Sequence, residues 1–248
     1  MLARVSLLVG LFLAPVAYAD SCPQHFPAGV APTSQDQVNI LCSTDFAVGF
    51  SVKTREAAWS VEHLTRQQVM AAEKLKGRGK FVSDARLPSD EQVELDDYKR
   101  SGWSRGHLTP SGDMPTKETR QETFVLSNIV PQDTAMNAGV WAHIESVVRK
   151  TAEQDGEVWV LTGPAFHSRK GTIGKDRIPV PSSIWKVIYI PDRQIEAIIV
   201  CKNMRGVQCN AVDEASLQRV TGIDPFPGLR WETLHRSADF EKSLMWQE

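Results

Sequence analysis

The sequence predicts an α+β fold, with a mixed central β-sheet and flanking helices. The segments "EVWVLTGPAF" (157–166), "SIWKVIYI" (183–190) and "IEAIIVC" (195–201) are short runs rich in β-branched and aromatic residues, as buried strands are. By contrast, "DTAMNAGVWAHIESVVRKTAEQDG" (133–156) spaces its apolar residues helically, through Trp141, Ile144 and Val148. A third segment, "FAVGFSVKTREAAWSVEHL" (46–64), alternates apolar and polar residues on both sides of a charged turn, the pattern of two paired strands.

The remaining elements follow in chain order. Residues 65–97 are charged and aperiodic, with "GRG" at 77–79 and Pro88, and predict a long surface loop, where function often sits. "TFVLSNIVPQ" (123–132) predicts a buried strand ending near Pro131. The helix after it has a cap candidate at Asp133 or Thr134 and a stop at Gly156. From Val212 onward the pattern is a short helix followed by the loop "GIDPFPGL". No repeat, low-complexity tract or Ser/Gly linker interrupts residues 20–248, so a single domain is expected.

Residues 1–19, "MLARVSLLVGLFLAPVAYA", carry one positive charge at Arg4, an apolar run too short for a membrane span, and small residues at Ala17 and Ala19. This predicts a signal peptide cut after Ala19 and a secreted or periplasmic protein, with an uncleaved anchor as the alternative. The whole chain has 28 Lys and Arg against 30 Asp and Glu, a net charge of −2, and loss of Arg4 moves it further negative. Such a balance excludes a chain coated in positive charge, while leaving room for a local basic cleft. Four cysteines in an exported chain predict two disulfides, and proximity favours Cys22 with Cys42 and Cys201 with Cys209. No Cys-x-x-Cys spacing points to structural zinc.

The chemistry concentrates in "SGWSRGHLTPSGDM" (101–114) and the start of the long helix. A strand leading straight into a helix can bring Asn137 to the cavity faced by Arg105 and His107. Asn137, Trp141 and Glu145 fall at i, i+4 and i+8 on one helix face, and two of the three are polar. Such a set suits hydrolysis of an anionic phosphodiester. Asn offers a hard neutral oxygen to Mg²⁺, His107 a base, and Arg105 a bidentate phosphate clamp, while Glu145 can hold metal-bound water. Each residue alone has a plainer reading: a loop histidine, a helix cap, a solvated charge, a surface ion-pair partner. Trp141 is assigned to the core, His143 and His167 to structural roles, and Asp113 to a turn or cap.

Together, "SGWSRGHLTPSGDM", "TFVLSNIVPQ" and "NAGVWAHIE" resemble, in order and spacing, the DNA/RNA non-specific endonuclease family with its ββα-metal core. The likeness extends more weakly from "FAVGFSVKTREAAWSVEHLT" to "TGIDPFPGL". The resemblance implies that His107 is the general base and Asn137 the single protein ligand to Mg²⁺, with Mn²⁺ or another divalent cation as a substitute. Arg105 matches the family's phosphate-binding Arg, and Glu145 the glutamate acting through metal-bound water. Asn128 matches a structural or His-orienting position. A second phosphate-binding Arg corresponds to Arg78, with Arg86 in competition. Ser104 stands where the family usually has Asp. The expected function is an exported, Mg²⁺-dependent endonuclease hydrolysing DNA and RNA. The alternatives are a catalytically weak or inactive nucleic-acid-binding protein of the same fold, and a phosphodiesterase for another anionic substrate.

Overall fold

The computed structural model describes residues 22–206 and 209–245. The expected signal peptide at 1–19 lies outside them. Among the described residues no helix is long and apolar enough to cross a membrane.

An eight-stranded mixed sheet forms the centre. Its main strands are β1 (Asn39–Cys42), β2 (Phe46–Ser51) and β3 (Glu56–Thr65), a separate pair β4 (Ser104–His107) and β5 (Ile129–Gln132) lying off the sheet, then β6 (Glu157–Ala165), β7 (Ser183–Ile190), β8 (Ile195–Lys202) and β9 (Cys209–Val212). The order across the sheet is β9-β8-β7-β6-β3-β2-β1, all antiparallel, and the short strand His235–Arg236 joins β8 in parallel. The three runs singled out in the sequence are β6, β7 and β8, and the alternating segment is the β2–β3 pair.

The sheet is buried on both faces, so these strands are apolar almost throughout. Along β7, Ile184, Ile188 and Ile190 face one core and Trp185 and Val187 the other, as the two-residue period requires. The first core is closed by the long helix through Trp141, Ile144, Val148 and Ala152, and by Phe240 and Leu244 of a C-terminal helix, Ala238–Leu244, absent from the sequence expectation. The second is closed by Phe26, Leu217, Ile223 and Phe226. Leu217 lies on the short helix Glu214–Thr221 expected after Val212. Both disulfides expected from proximity are present, Cys22–Cys42 and Cys201–Cys209.

Two expectations need correction. Residues 65–97 are not all loop: α1 (Arg66–Ala72) opens them, capped reciprocally by Thr65 and Gln68, and Leu95–Tyr98 form one helical turn. The Thr-x-x-Gln spacing is a helix-start signature that a highly charged composition masks. The strand expected at 123–132 is β5 alone, because a 3₁₀ turn at Leu126–Asn128 takes up part of that range; α2 (Lys117–Glu122) lies just before it. Burial of Thr123, Phe124, Leu126 and Ser127 around a turn, rather than on a sheet, supplies the apolar pattern there.

The long helix matches its expectation in extent. Asp133 caps it by accepting from the N–H groups of Ala135 and Met136, and Gly156, at φ 100°, ends it. A π-helical segment, Asn137–Trp141, precedes the regular run α3 (Ala142–Asp155), with Gly139 at φ −103°, ψ −105°. Such insertions re-aim side chains and recur at functional sites.

Candidate active site

The β4–β5 pair and the helix after it form a strand–strand–helix unit. Ser104 pairs with Gln132, Arg105 with Pro131, Gly106 with Val130 and His107 with Ile129. Gly106 is required by its neighbour: a Cβ there would lie 2.1 Å from Gln132 Cδ. Ser104 donates its hydroxyl to the Gln132 carbonyl at 2.9 Å, so it spends its one proton on pinning the two strands together. Asn128 secures the loop beyond His107, accepting from the Thr109 N–H and donating to the carbonyls of Thr109 and Thr123, each at 3.0 Å. Of the two roles open to Asn128, these bonds are the structural one.

His107 packs its ring edge-to-face against Phe124 at 4.7 Å and tilted over Phe81 at 5.5 Å. Its Nε2 is shielded from solvent and has no hydrogen-bond partner among the described residues. Burial, with the positive charge of Arg78 added, drives the imidazole from an ordinary value near 6.5 down to about 3. The unperturbed basicity assumed from sequence therefore does not hold in the free protein, where the ring is neutral throughout the physiological range.

A cavity of about 240 Å³ gathers His107, Ser111, Gly112, Asn137, Glu145 and Arg149. A neighbouring cavity of about 450 Å³ holds Arg78, Arg105 and Ser104, and Asn137 lines both. The structure thus brings together all five residues singled out from sequence around Asn137. Arg105 rests its guanidinium over Phe81 at 4.3 Å, and Arg78 lies over Phe81 and Phe124 at 5.4 and 5.7 Å. Arg86 points elsewhere: it chelates the buried Asp84 and donates to the Cys42 carbonyl, a structural clamp.

Beneath the site lies a buried charge cluster that sequence reasoning missed. Asp113, 1% exposed, pairs with Arg149 at 2.7 Å, so it is an ion-pair partner of the cavity wall as well as part of a 3₁₀ turn. Lys186, on β7, is fully buried, donates to Thr162 Oγ1 at 2.5 Å and lies 5.3 Å from the Trp141 ring centroid. Glu62, on β3, is buried opposite Asp113, and burial followed by that like charge raises its pKa well above the usual carboxylate range. Burial likewise pushes Glu145 up to about 7, against the attraction of Lys186. A Lys inside "SIWKVIYI" was the available signal, since an apolar strand buried on both faces has no solvent side to offer it.

Among the described residues no group of three or more His, Cys, Asp or Glu can hold a metal ion. The donor set around Asn137 is of another kind, one amide oxygen with the Glu145 carboxylate on the same cavity. It fits a hard cation that keeps most of its waters and takes phosphate oxygens as further ligands.

Comparison with known proteins agrees with this fold. Nuclease EXOG, mitochondrial, of Homo sapiens is 36% identical over 210 residues, covering 76% of this chain and 57% of its own length. Nuclease C1 of Cunninghamella echinulata var. echinulata is 33% identical over 158 residues, covering 59% of this chain and 63% of its own. This chain therefore spans less than two thirds of either relative. A chain from the crystal structure of the EndoG/EndoGI complex shares the fold with a TM-score of 0.71 at 24% identity, over 79% of this chain and 89% of that one. The model of the family described as DNA/RNA non-specific endonuclease matches residues 24–231, which include the β4–β5 pair and all of α3. With that match and these relatives, the chain belongs to the DNA/RNA non-specific endonuclease family.

Proposed function

We propose that the chain is an exported, Mg²⁺-dependent endonuclease that hydrolyses phosphodiester bonds of DNA and RNA. The observation that carries this reading is the 240 Å³ cavity, where the neutral imidazole of His107 shares walls with Asn137 and Glu145. Asn137 would hold the Mg²⁺ and Glu145 its water shell. The bound ion would neutralise phosphate charge and stabilise the leaving oxygen.

The residues of the chain divide the remaining work. Arg105 and Arg78 clamp phosphate oxygens, with Arg105 held in place by stacking on Phe81. A water aimed at phosphorus loses its proton to the His107 imidazole as the new P–O bond forms and the bond to the departing sugar oxygen breaks. His107 is neutral before substrate arrives, the form that accepts a proton. Phosphate binding cancels the Arg78 charge that helps hold its basicity down, so the base strengthens when substrate is in place. Asn128 and Ser104 keep the loop and strand in register. Recognition rests on phosphates, which every sequence presents alike, so binding weakens as salt rises. Export rests on residues 1–19 and on two disulfides, which persist in oxidising compartments.

A catalytically weak binding protein is the second reading, favoured by one observation: Ser104 supplies a hydrogen bond where the family's Asp would also supply charge. Incubating the chain with plasmid and with RNA separates the two. The nuclease reading expects both to be degraded with Mg²⁺ and neither with EDTA. Binding without cleavage would favour the second reading.

A further inference from the structure

The larger cavity beside Asn137 carries, besides the phosphate clamps Arg78 and Arg105, a part of its lining that the hydrolytic steps above do not use. That part is Trp103, Leu95, Asp96 and Lys99. We propose that it is a subsite for the nucleotide next to the cleaved phosphate, with Trp103 as the surface on which that nucleotide's unpaired base stacks. The inference rests on the phosphate-binding part of the proposed function.

A nucleotide is an anion joined to a flat aromatic plate, and the cavity offers a partner for each. The phosphate partner is the two guanidiniums with Asn137, which lines the cavity of His107 as well. Trp103 and Leu95, a leucine that is 40% exposed, give the base an apolar partner on the same lining.

Trp103 is held for such a task. It is partly buried against the cluster of Tyr98, Leu126 and Ile129, leaving part of the side chain open to the cavity. The tight turn before it, with Arg100 at φ 58° and Gly102 at φ 83°, is closed by Ser101, whose hydroxyl oxygen accepts from the Trp103 N–H at 3.2 Å. Trp103 is also two residues from Arg105 along the chain, so the stacking surface and phosphate clamp move together. At 450 Å³ the cavity is in the size range of sites for small ligands. Stacking on an aromatic ring accepts any base, which suits recognition without sequence preference. It also requires a base free of its duplex partner, so the subsite favours single strands over duplex.

The test is fluorescence anisotropy of a labelled oligothymidylate and of an abasic oligomer of equal length, in EDTA, with wild type, Trp103→Ala and Trp103→Phe. Trp103→Ala is expected to weaken oligothymidylate binding by about tenfold, a typical loss for one base stack, while Trp103→Phe keeps most of the affinity. The abasic oligomer should bind wild type and Trp103→Ala alike. Equal loss on both oligomers, or no loss on either, overturns the subsite. Because the readout needs no cleavage, a wild type that binds as expected but fails to cut with Mg²⁺ refutes the nuclease reading and leaves the subsite standing. Failure of wild type to bind either oligomer in EDTA overturns the subsite, and cleavage with Mg²⁺ then decides the nuclease reading on its own.

Discussion

His107 Nε2 and the Glu56 carboxylate both lack hydrogen-bond partners among the described residues, and the two cases have opposite meanings. His107 lines a cavity, so its ring can meet a ligand there. Glu56 is 1% exposed, and neither carboxylate oxygen finds a partner among the described residues. Burial therefore raises its pKa well above the usual carboxylate range. The folded value exceeds the unfolded one of about 4.3, so the neutral acid is tolerated at low pH and the folded state loses stability as pH rises toward and through the folded value. Glu56→Gln removes the ionisation while keeping the shape. It is expected to raise stability at pH 8 by on the order of 1 kcal/mol or more relative to wild type, with little gain at pH 4. Denaturant melts at the two pH values check this, and a gain independent of pH would mean that Glu56 is not the group responsible.

At the scale of elements, the site depends on the junction where β5 turns into the long helix. Asn203, fully buried on the loop after β8, clamps that junction: Oδ1 accepts from the Asp133 N–H at 2.8 Å, and Nδ2 donates to the carbonyls of Pro131 and Pro181, each at 2.9 Å. Pro131 pairs with Arg105, and Asp133 caps the helix that carries Asn137. Asn203→Ala removes the side-chain partner of three backbone groups, two of them buried, and is expected to cost about 3 kcal/mol in stability. Below its melting temperature the variant should also lose activity through kcat more than KM. Unchanged kcat in a destabilised variant would show that the clamp serves stability alone. This junction also marks the limit of what the sequence discloses. The helix from 133 to 156 and the strands β6, β7 and β8 were legible because their apolar period is long and regular. The turn before β5 was not, since a short buried turn and a short buried strand share one apolar pattern, and α2 was not, since "KETRQE" has no apolar residue to mark a period. His107, Arg105, Asn137 and Glu145 could be placed from motif spacing. Glu62, Lys186 and Asn203 could not, because their burial depends on pairing between distant strands and loops. Asn203 in particular acts across 70 residues of chain through its bond to Asp133.

Across the whole molecule, the sheet separates two tasks. One face is closed by an apolar layer around Phe26, Trp59 and Phe226. The other meets the helix and carries the buried polar groups Glu62, Thr162 and Lys186 beneath the site. Antiparallel pairing brings Ser60 beside Thr162 and Thr162 beside Lys186, forming one polar row across three strands. Ser60 extends that row to Thr109, at 2.6 Å, two residues beyond His107. The net charge of −2 conceals this arrangement, since the cations that matter are few and local. The central claim is that His107 and Asn137 perform one hydrolysis together in the cavity they share. Its most direct measurement is plasmid and RNA cleavage by His107→Ala, Asn137→Ala and wild type across a Mg²⁺ titration, with folding verified by circular dichroism. The account predicts that both folded variants lose at least about a hundredfold in kcat, the lower bound typical of a lost general base, on DNA and RNA alike. Undiminished cleavage by folded His107→Ala, or wild-type Mg²⁺ dependence in Asn137→Ala, would contradict it.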